Sequence, residues 1–305
     1  MTTVEVMLPH YGRPALVHET IRSVVAQDDP AWRLTIVDDG TDDEVRAWCA
    51  GLGDDRVRYL RNESNLGINR NFQKCVSLVR EELVVIIGSD DLMLPNYVRT
   101  VRAVHRTHPS AAVIQPGVEV IGATGAASTT LVDLSKRWIY APRRRSTTVL
   151  RGEELAASLL RGNWLYFPSL CWRSEPLRRT GFREGLDVVQ DLALVLDLVL
   201  DGQSLVVEPT TCFRYRRHRG SVSAVQAADA RRFAEERHFF LDAAQRMRDR
   251  GWRRAASIAR RHLSSRLNAL TLLPGAIRRG RSDHVRALLG HALGPSGSSH
   301  APFVG

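Results

Sequence analysis

Paired carboxylates at the ends of apolar runs are the first residues of this 305-residue chain whose types and spacing could do chemistry. Asp38 and Asp39 follow the run ending at Val37, and Asp90 and Asp91 follow the apolar stretch 83–87 and the dipeptide Gly88-Ser89. Adjacent carboxylates on a tight strand end offer hard oxygen donors to Mg²⁺ or Mn²⁺, ions that bridge diphosphates, and phosphate and water can complete the shell around a single protein carboxylate. Two further polar segments share the same kind of position: Pro9-His10-Tyr11-Gly12-Arg13 after the first apolar run, and Asn65-Leu66-Gly67-Ile68-Asn69-Arg70-Asn71 at the start of a helical pattern. The Tyr11 ring can stack on a nucleobase, Asp39 can accept a hydrogen bond from a base imide, and Arg70 can pair with phosphate or base oxygens.

Each of these residues also has a plain structural explanation. Asp38-Asp39 can end a strand and open a helix, and Asp90-Asp91 can be turn residues ahead of the helix at Pro95. What favours chemistry is the set of elements that must position them. Short β-rich runs at 4–8, 34–37, 57–60 and 83–87 alternate with helical patterns at 15–27, after Thr41 (with Glu44 at capping-box spacing) and at 66–79. That alternation predicts an α/β fold, a mostly parallel sheet flanked by helices. In such a sheet ligands sit beyond the carboxyl ends of the strands, where all four segments fall.

Further along, a helix with Val98, Val101 and Val104 precedes a strand at 111–115. Residues 122–148 read as a loop or hairpin, with regular structure resuming near Gly152. Helices are expected at 153–160 and 189–200, and strands at 205–207 and 212–215. From residue 224 the pattern is helical, with one apolar face carrying Phe233, Phe240, Ala244 and Met247 and another carrying Ala259, Leu263, Leu267 and Leu270. The expected organisation is an α/β catalytic domain over 1–223, a basic helical extension over 224–293 packed on it, and a Gly/Ser/Pro-rich disordered tail over 294–305.

In order and spacing these segments resemble the inverting family 2 glycosyltransferases of the GT-A fold, the SpsA-like class, over roughly residues 4–223. Pro9-His10-Tyr11-Gly12-Arg13 is similar to the family's opening P-x-Y-N-R, and Val37-Asp38-Asp39-Gly40-Thr41, Asn65-Leu66-Gly67 and Gly88-Ser89-Asp90-Asp91 follow in family order. Gly181-Phe182-Arg183-Glu184 and Gln190-Asp191 look like its G-F-D-E segment and acidic catalytic pair. Tyr215-Arg216-Arg217-His218-Arg219-Gly220-Ser221-Val222-Ser223 resembles its closing Y-R-x-H-x-x-S-x-S.

The resemblance implies that Pro9, Tyr11, Arg13, Asp39 and Arg70 bind the nucleotide part of a sugar donor, with Asp90 on the ribose. It further implies that Asp91 binds Mg²⁺ or Mn²⁺, that His218 adds a ligand or closes a loop over the diphosphate, and that Asp191 is the general base of an inverting transfer. Two positions depart from the pattern: Gly88 stands in place of the first acid of a D-x-D motif, and Gln190 in place of the acid before the base. The Q-x-x-R-W signature of processive polysaccharide synthases is missing, so one sugar per encounter is expected. Asp191 also fits an ordinary carboxylate at a helix N-terminus, and His218 a basic surface strand. Trp164, Tyr166, Phe167 and Trp172, like Trp138 and Tyr140, fit either an acceptor platform or core packing.

Composition bounds the remaining readings. A 44% hydrophobic and 25% charged chain is globular rather than disordered. No apolar run approaches the roughly 18 to 20 residues of a membrane span, and the start lacks an export signal, so the expected address is cytoplasmic. Four scattered cysteines with no C-x-x-C pair read as buried thiols of a reducing compartment. The net charge of +10 is concentrated at one end: fifteen arginines face five acidic residues from Ala230 onward, and 28 of each sign precede it. A solvated helix surface explains that excess. Peripheral contact of the Arg-rich C-terminal helices with anionic lipid at the inner face of the membrane, or a phosphorylated acceptor, explains it too. No nucleic-acid partner is expected, since no nucleic-acid-binding motif accompanies the charge. The expected partners are a nucleotide-diphospho-sugar donor and a hydroxyl-bearing acceptor, possible lipid linkage included. Two other functions stand beside this one: nucleotidyl transfer, for which the first strand lacks a lysine-bearing phosphate loop, and a catalytically silent binding module.

Overall fold

The computed structural model describes residues 2–12, 14–40, 43–128, 146–217, 231–280 and 282–294. Arg13, Trp138, Tyr140, His218 and the tail from 295 onward lie outside the described residues.

The first half runs β1 (Val4–His10), α1 (Pro14–Val25), β2 (Trp32–Asp38), α2 (Glu44–Ala50), β3 (Val57–Arg61), α3 (Ile68–Leu78), β4 (Leu83–Ile86), β5 (Leu92–Met93) and α4 (Tyr97–Thr107). The second half continues with β6 (Val113–Ile121), β7 (Thr148–Arg151), α5 (Gly152–Arg161), a short 3₁₀ turn (Phe167–Ser169), β8 (Cys171–Arg173), α6 (Ser174–Thr180), α7 (Gln190–Leu200) and β9 (Ser204–Arg216). The helices α8 (Arg231–Asp249), α9 (Arg253–Arg261), α10 (Leu263–Arg278) and α11 (Ser282–Leu293) follow.

All nine described strands belong to one sheet, ordered β3-β2-β1-β4-β8-β6-β9-β5, with β7 also on β9. β3, β2, β1 and β4 are mutually parallel, while β8 enters antiparallel to both β4 and β6. The unbroken apolar run of β4 follows from burial on both faces. Because successive side chains point to opposite faces, Leu83 and Val85 pack with α1, α2 and α4 around Val17, Ile21, Val45, Val98 and Val101. Val84 and Ile86 pack on the other side with α3, α5 and α7 around Cys75, Leu155, Leu159, Leu194 and Val195.

The structure differs from the sequence expectations in four places. Residues 205–207 and 212–215 are one 13-residue strand, β9, because β6 pairs along both halves and carries the chain across the irregularity at Gly117. Residues 148–151 form β7 on the edge of β9 rather than the end of a loop. The three-residue β8 is too short to show alternation, yet it joins the two halves of the sheet.

The fourth difference is in the C-terminal helices. Phe239, Phe240, Ala243, Ala244 and Met247 of α8 and Ala255, Ala256 and Ala259 of α9 belong to the same core as β4 and α7. Residues Leu263, Leu267 and Leu270 do not continue that face: they are exposed, at 59%, 56% and 39%. α10 instead packs through the small residues Ser265, Ala269 and Ala276, which allow close helix approach. With Phe233, Leu288 and Ala292 the alanines form a separate small core. The turn between α9 and α10 is the single residue His262, in the left-handed region at φ 34°.

Among the described residues no helix is long and apolar enough to cross a membrane. All four cysteines are buried, and burial holds their thiols protonated, raising Cys49 to about 11 and the other three higher still.

Candidate active site

The site is assembled from chain segments leaving one edge of the sheet. His10 pairs with Asp38 in register, and β4 runs parallel to β1. Tyr11-Gly12, Asp39-Gly40 and Gly88 to Asp91 therefore leave the carboxyl edge side by side. Pro9 is the penultimate residue of β1, opposite Val37. Tyr11 is 69% exposed, a ring standing at the rim where it can receive a base; Gly40 lies beside it, and a Cβ there would fall 3.2 Å from Asp38 Oδ1 and 4.0 Å from Tyr11 Cδ2.

The two aspartates after β2 divide their work. Asp38 is 2% exposed; its Oδ1 accepts the Gly40 amide at 2.9 Å, and its Oδ2 accepts the Tyr59 hydroxyl, with Arg61 3.7 Å away. It terminates the strand. Asp39 faces the 62–67 loop, where Oδ1 accepts Asn62 Nδ2 at 2.7 Å and the Leu66 amide at 2.8 Å, and Oδ2 accepts the Gly67 amide at 2.9 Å. Gly67 takes φ +77°, a conformation that costs glycine nothing, and α3 starts at the next residue. Asn62 in turn receives Lys74 Nζ at 2.6 Å and donates to Asn71 Oδ1 at 3.1 Å. Asp39 thus anchors the start of α3, which presents Arg70 exposed in its first turn.

After β4, Asp91 is 1% exposed. Its Oδ1 accepts the Arg216 amide at 2.8 Å. The Arg216 side chain, itself 3% exposed, donates Nε to the Asp90 carbonyl at 2.7 Å and a terminal nitrogen to Glu19 at 2.6 Å. A Cβ at residue 88 would fall 2.6 Å from Asp91 Oδ2 and 3.1 Å from Asp90 Oδ1. Gly88 thus leaves room for this carboxylate pair, and a side chain there would require the aspartates to shift.

Burial and the neighbouring Asp90 raise the Asp91 pKa well above the usual carboxylate range. A buried carboxylate whose charge is disfavoured, with a second carboxylate beside it, fits a hard divalent cation, which would reverse that shift. Among the described residues no third His, Cys, Asp or Glu joins them, and donor oxygens and water would have to complete the shell of any bound cation.

Asp191 lies in the first turn of α7. Its Oδ2 accepts Asn163 Nδ2 at 3.0 Å and its Oδ1 the Leu192 amide at 2.7 Å. Three residues that sequence reasoning did not single out hold this helix start in place. Glu235 of α8 puts Oε1 on the amides of Asp187, Val188 and Val189 at 3.1, 2.7 and 3.1 Å. Asn69, one residue before Arg70, donates Nδ2 to the Leu186 carbonyl at 2.8 Å and to Gln190 Oε1 at 3.2 Å. Asn163 is the third. The Gln190 departure is thus a hydrogen-bond acceptor joining α7 to α3.

Of the aromatic residues left open by sequence, Phe167 and Trp172 pack with Phe72 and Phe182 in the core. Trp164 is also buried, with Nε1 on Ser158 Oγ at 3.1 Å. Tyr166 differs: half-buried, it lies 5.3 Å from the Tyr215 ring, next in the chain to the Arg216 that holds Asp91.

Hydrogen bonds tie Asp39 to the start of α3 and, through Asn69, tie α3 to Gln190 beside Asp191; on the other side Asp91 accepts from Arg216, whose neighbour Tyr215 packs on Tyr166. A mostly parallel sheet with this constellation at its carboxyl edge defines a GT-A glycosyltransferase fold. The crystal structure of S. aureus TarS 1-349 in complex with UDP-GlcNAc superimposes with a TM-score of 0.62 at 14% identity, covering 94% of this chain and 90% of that one.

Residues 5–171 match the model of Glycosyl transferase family 2, and the chain belongs to that family. It is 28% identical over 95 residues to the putative colanic acid biosynthesis glycosyl transferase WcaA of Escherichia coli K12, 30% of this chain and 34% of that protein. It is 25% identical over 290 residues to the succinoglycan biosynthesis protein ExoO of Rhizobium meliloti, 88% of this chain and 81% of that one. Matches to several curated relatives, WcaA among them, span only about a third of those proteins' length.

Proposed function

We propose that this protein is an inverting glycosyltransferase that moves one sugar from a UDP-, dTDP- or GDP-linked donor to an acceptor hydroxyl in polysaccharide, glycolipid or glycosylated-metabolite synthesis. The observation that carries the reading is the carboxyl edge of the sheet, where Tyr11, Asp39, Asp90 and Asp91 follow adjacent parallel strands, and where α3, anchored by Asp39, is hydrogen-bonded through Asn69 to Gln190 beside Asp191. The names of WcaA and ExoO and the UDP-GlcNAc bound by TarS support the same reaction class.

In this reading Tyr11 stacks on the base, and Asp39 sets the α3 start so that Arg70 meets base or phosphate oxygens. Pro9 and Arg13 complete the nucleotide wall, and Asp90 holds the ribose. Asp91, with His218, would hold Mg²⁺ or Mn²⁺, which when bound supplies Lewis-acid stabilisation of the diphosphate leaving group. Asp191 accepts the acceptor hydroxyl proton while that oxygen bonds to the anomeric carbon and the bond to the diphosphate breaks, the electron pair leaving with the diphosphate. Attack from the face opposite the leaving group inverts the centre. The acceptor is lipid-linked or soluble, and the arginine-rich helices bring the protein to an anionic membrane.

The test is nucleotide-diphosphate release from UDP-, dTDP- and GDP-sugars with and without Mn²⁺, followed by mass spectrometry of the product. Asp191→Asn should lower turnover by about 10² to 10⁴ while donor binding stays near wild type. Normal turnover in that variant removes Asp191 as base, and silence across all donors points to a binding module.

A further inference from the structure

The exposed apolar residues of this protein are unevenly placed. Of the nine large hydrophobic side chains standing exposed among the described residues, six belong to α10 and α11. On α10 the exposed positions Leu263, Leu267, Leu270, Pro274 and Ile277 recur at alternating four- and three-residue spacing. That spacing puts them in one stripe along the helix, opposite the Ser265, Ala269 and Ala276 face that packs inward. Ile277 is 62% exposed, and Leu293 at the end of α11 is 72% exposed. No packing need explains such a stripe, because small residues on the other face do the packing.

The charge around the stripe identifies what covers it. From Arg248 to Leu293 the sequence holds eleven arginines and two aspartates, Asp249 and Asp283. Arg248, Arg253, Arg260 and Arg261 line a groove of about 630 Å³ with Ala256 and Ser257, and among the described residues none of the four forms an ion pair with a carboxylate. The groove's last arginine is separated from the stripe's first leucine only by His262, so the two lie within about 7 Å of chain. A second copy of the chain would set these cationic rims against each other, which opposes self-association through the stripe. A surface that is apolar beneath and anionic above satisfies both features, leucines below and guanidinium groups at the phosphates.

We propose that α10 and α11, with the arginine groove at the α9 end, form a docking face for anionic phospholipid. The stripe inserts at the acyl boundary, and Arg248, Arg253, Arg260 and Arg261 pair with headgroup phosphates. The proposal gives residues to the membrane contact in the functional reading, but its test reads vesicle binding alone, so it stands or falls apart from sugar transfer.

The experiment is co-sedimentation of the full chain with vesicles of phosphatidylglycerol mixed into phosphatidylcholine, and with phosphatidylcholine alone, at low and high salt. Wild type should bind the anionic vesicles, bind the zwitterionic ones far less, and be released by salt. Leu267→Asp with Ile277→Asp should weaken binding about 100-fold, and Arg253→Glu with Arg260→Glu should abolish the preference for anionic lipid. All four positions are solvent-facing, and an unchanged circular dichroism melt confirms that the variants fold. Equal binding by wild type and the leucine-isoleucine double variant would overturn the proposal. So would a wild type that ignores vesicles and forms a dimer, by light scattering, which that double variant disrupts.

Discussion

Replacing Glu235 should damage a site that lies 44 residues earlier in the sequence. Its carboxylate is 8% exposed and takes three consecutive amides, those of Asp187, Val188 and Val189, on a single oxygen at 2.7 to 3.1 Å. Glu235→Ala leaves those amides facing a cavity that water reaches poorly. At about 1 kcal/mol for each stranded donor, and about another 1 kcal/mol for the lost charge beside the α7 N-terminus, the loss should be roughly 3 to 4 kcal/mol. Glu235→Gln keeps an acceptor oxygen and loses the charge, so about 1 to 2 kcal/mol is expected.

Urea denaturation reads both values. Steady-state kinetics on the glutamine variant then separates positioning from mere stability: kcat should fall about 10-fold, since a displaced Asp191 weakens general-base catalysis, while donor KM stays within about a factor of two. A glutamine variant with wild-type stability and turnover would refute the idea that this contact sets the start of α7.

Two further outcomes follow from titration. The Asp91 pKa is raised, so its contribution to the stability of the metal-free protein is fully present below the unfolded carboxylate pKa and is lost as pH rises through the folded value. Asp91→Asn should therefore raise the metal-free melting temperature at neutral pH while weakening Mn²⁺-dependent donor binding, measured by differential scanning fluorimetry and calorimetry; a lower melting temperature would contradict the burial argument. His262 is lowered from 6.5 to about 4, by burial first and then by Arg266 and His291. Its contribution is present above 6.5 and is lost as pH falls toward 4, in total about 3 kcal/mol. A urea midpoint that declines over this window in wild type, and less steeply in His262→Gln, is the expected result.

The central strands were legible because burial on both sheet faces leaves an uninterrupted apolar run, and the chain's polar punctuation fell where those strands end. Strands of two or three residues such as β5 and β8 carry no periodicity and become strands only through their partners. Tyr11, Asp39, Asp90 and Asp91 were visible as types at strand ends. Their division of labour was not: that Asp39 spends its oxygens on the α3 start, or that Gly88 makes room for Asp91, is decided by contacts across the fold. Glu235, Asn69 and Asn163 gave no signal because a glutamate in a charged helix and asparagines near loops are ordinary residues until their partners are known. The leucines of α10 show the opposite limit, since periodicity reports that a helix has an apolar face and not what that face meets.

The interleaving of α8 and α9 with the main core bears on how such enzymes can be recombined. The family match ends at residue 171, but Arg183 pairs with Asp197 of α7 and Asp242 of α8 at 2.6 and 2.9 Å, and Met247 and Ala259 fill the same interior as Leu159 and Val195. A chimaera joined at residue 171 or 223 would import a catalytic half without the helices that complete its interior. A seam at His262, where one residue separates the shared interior from the outer hairpin, keeps α8 and α9 with the transferase body, provided the exchanged hairpin covers Phe233 of α8 as Ala269, Ala276 and Leu288 do here.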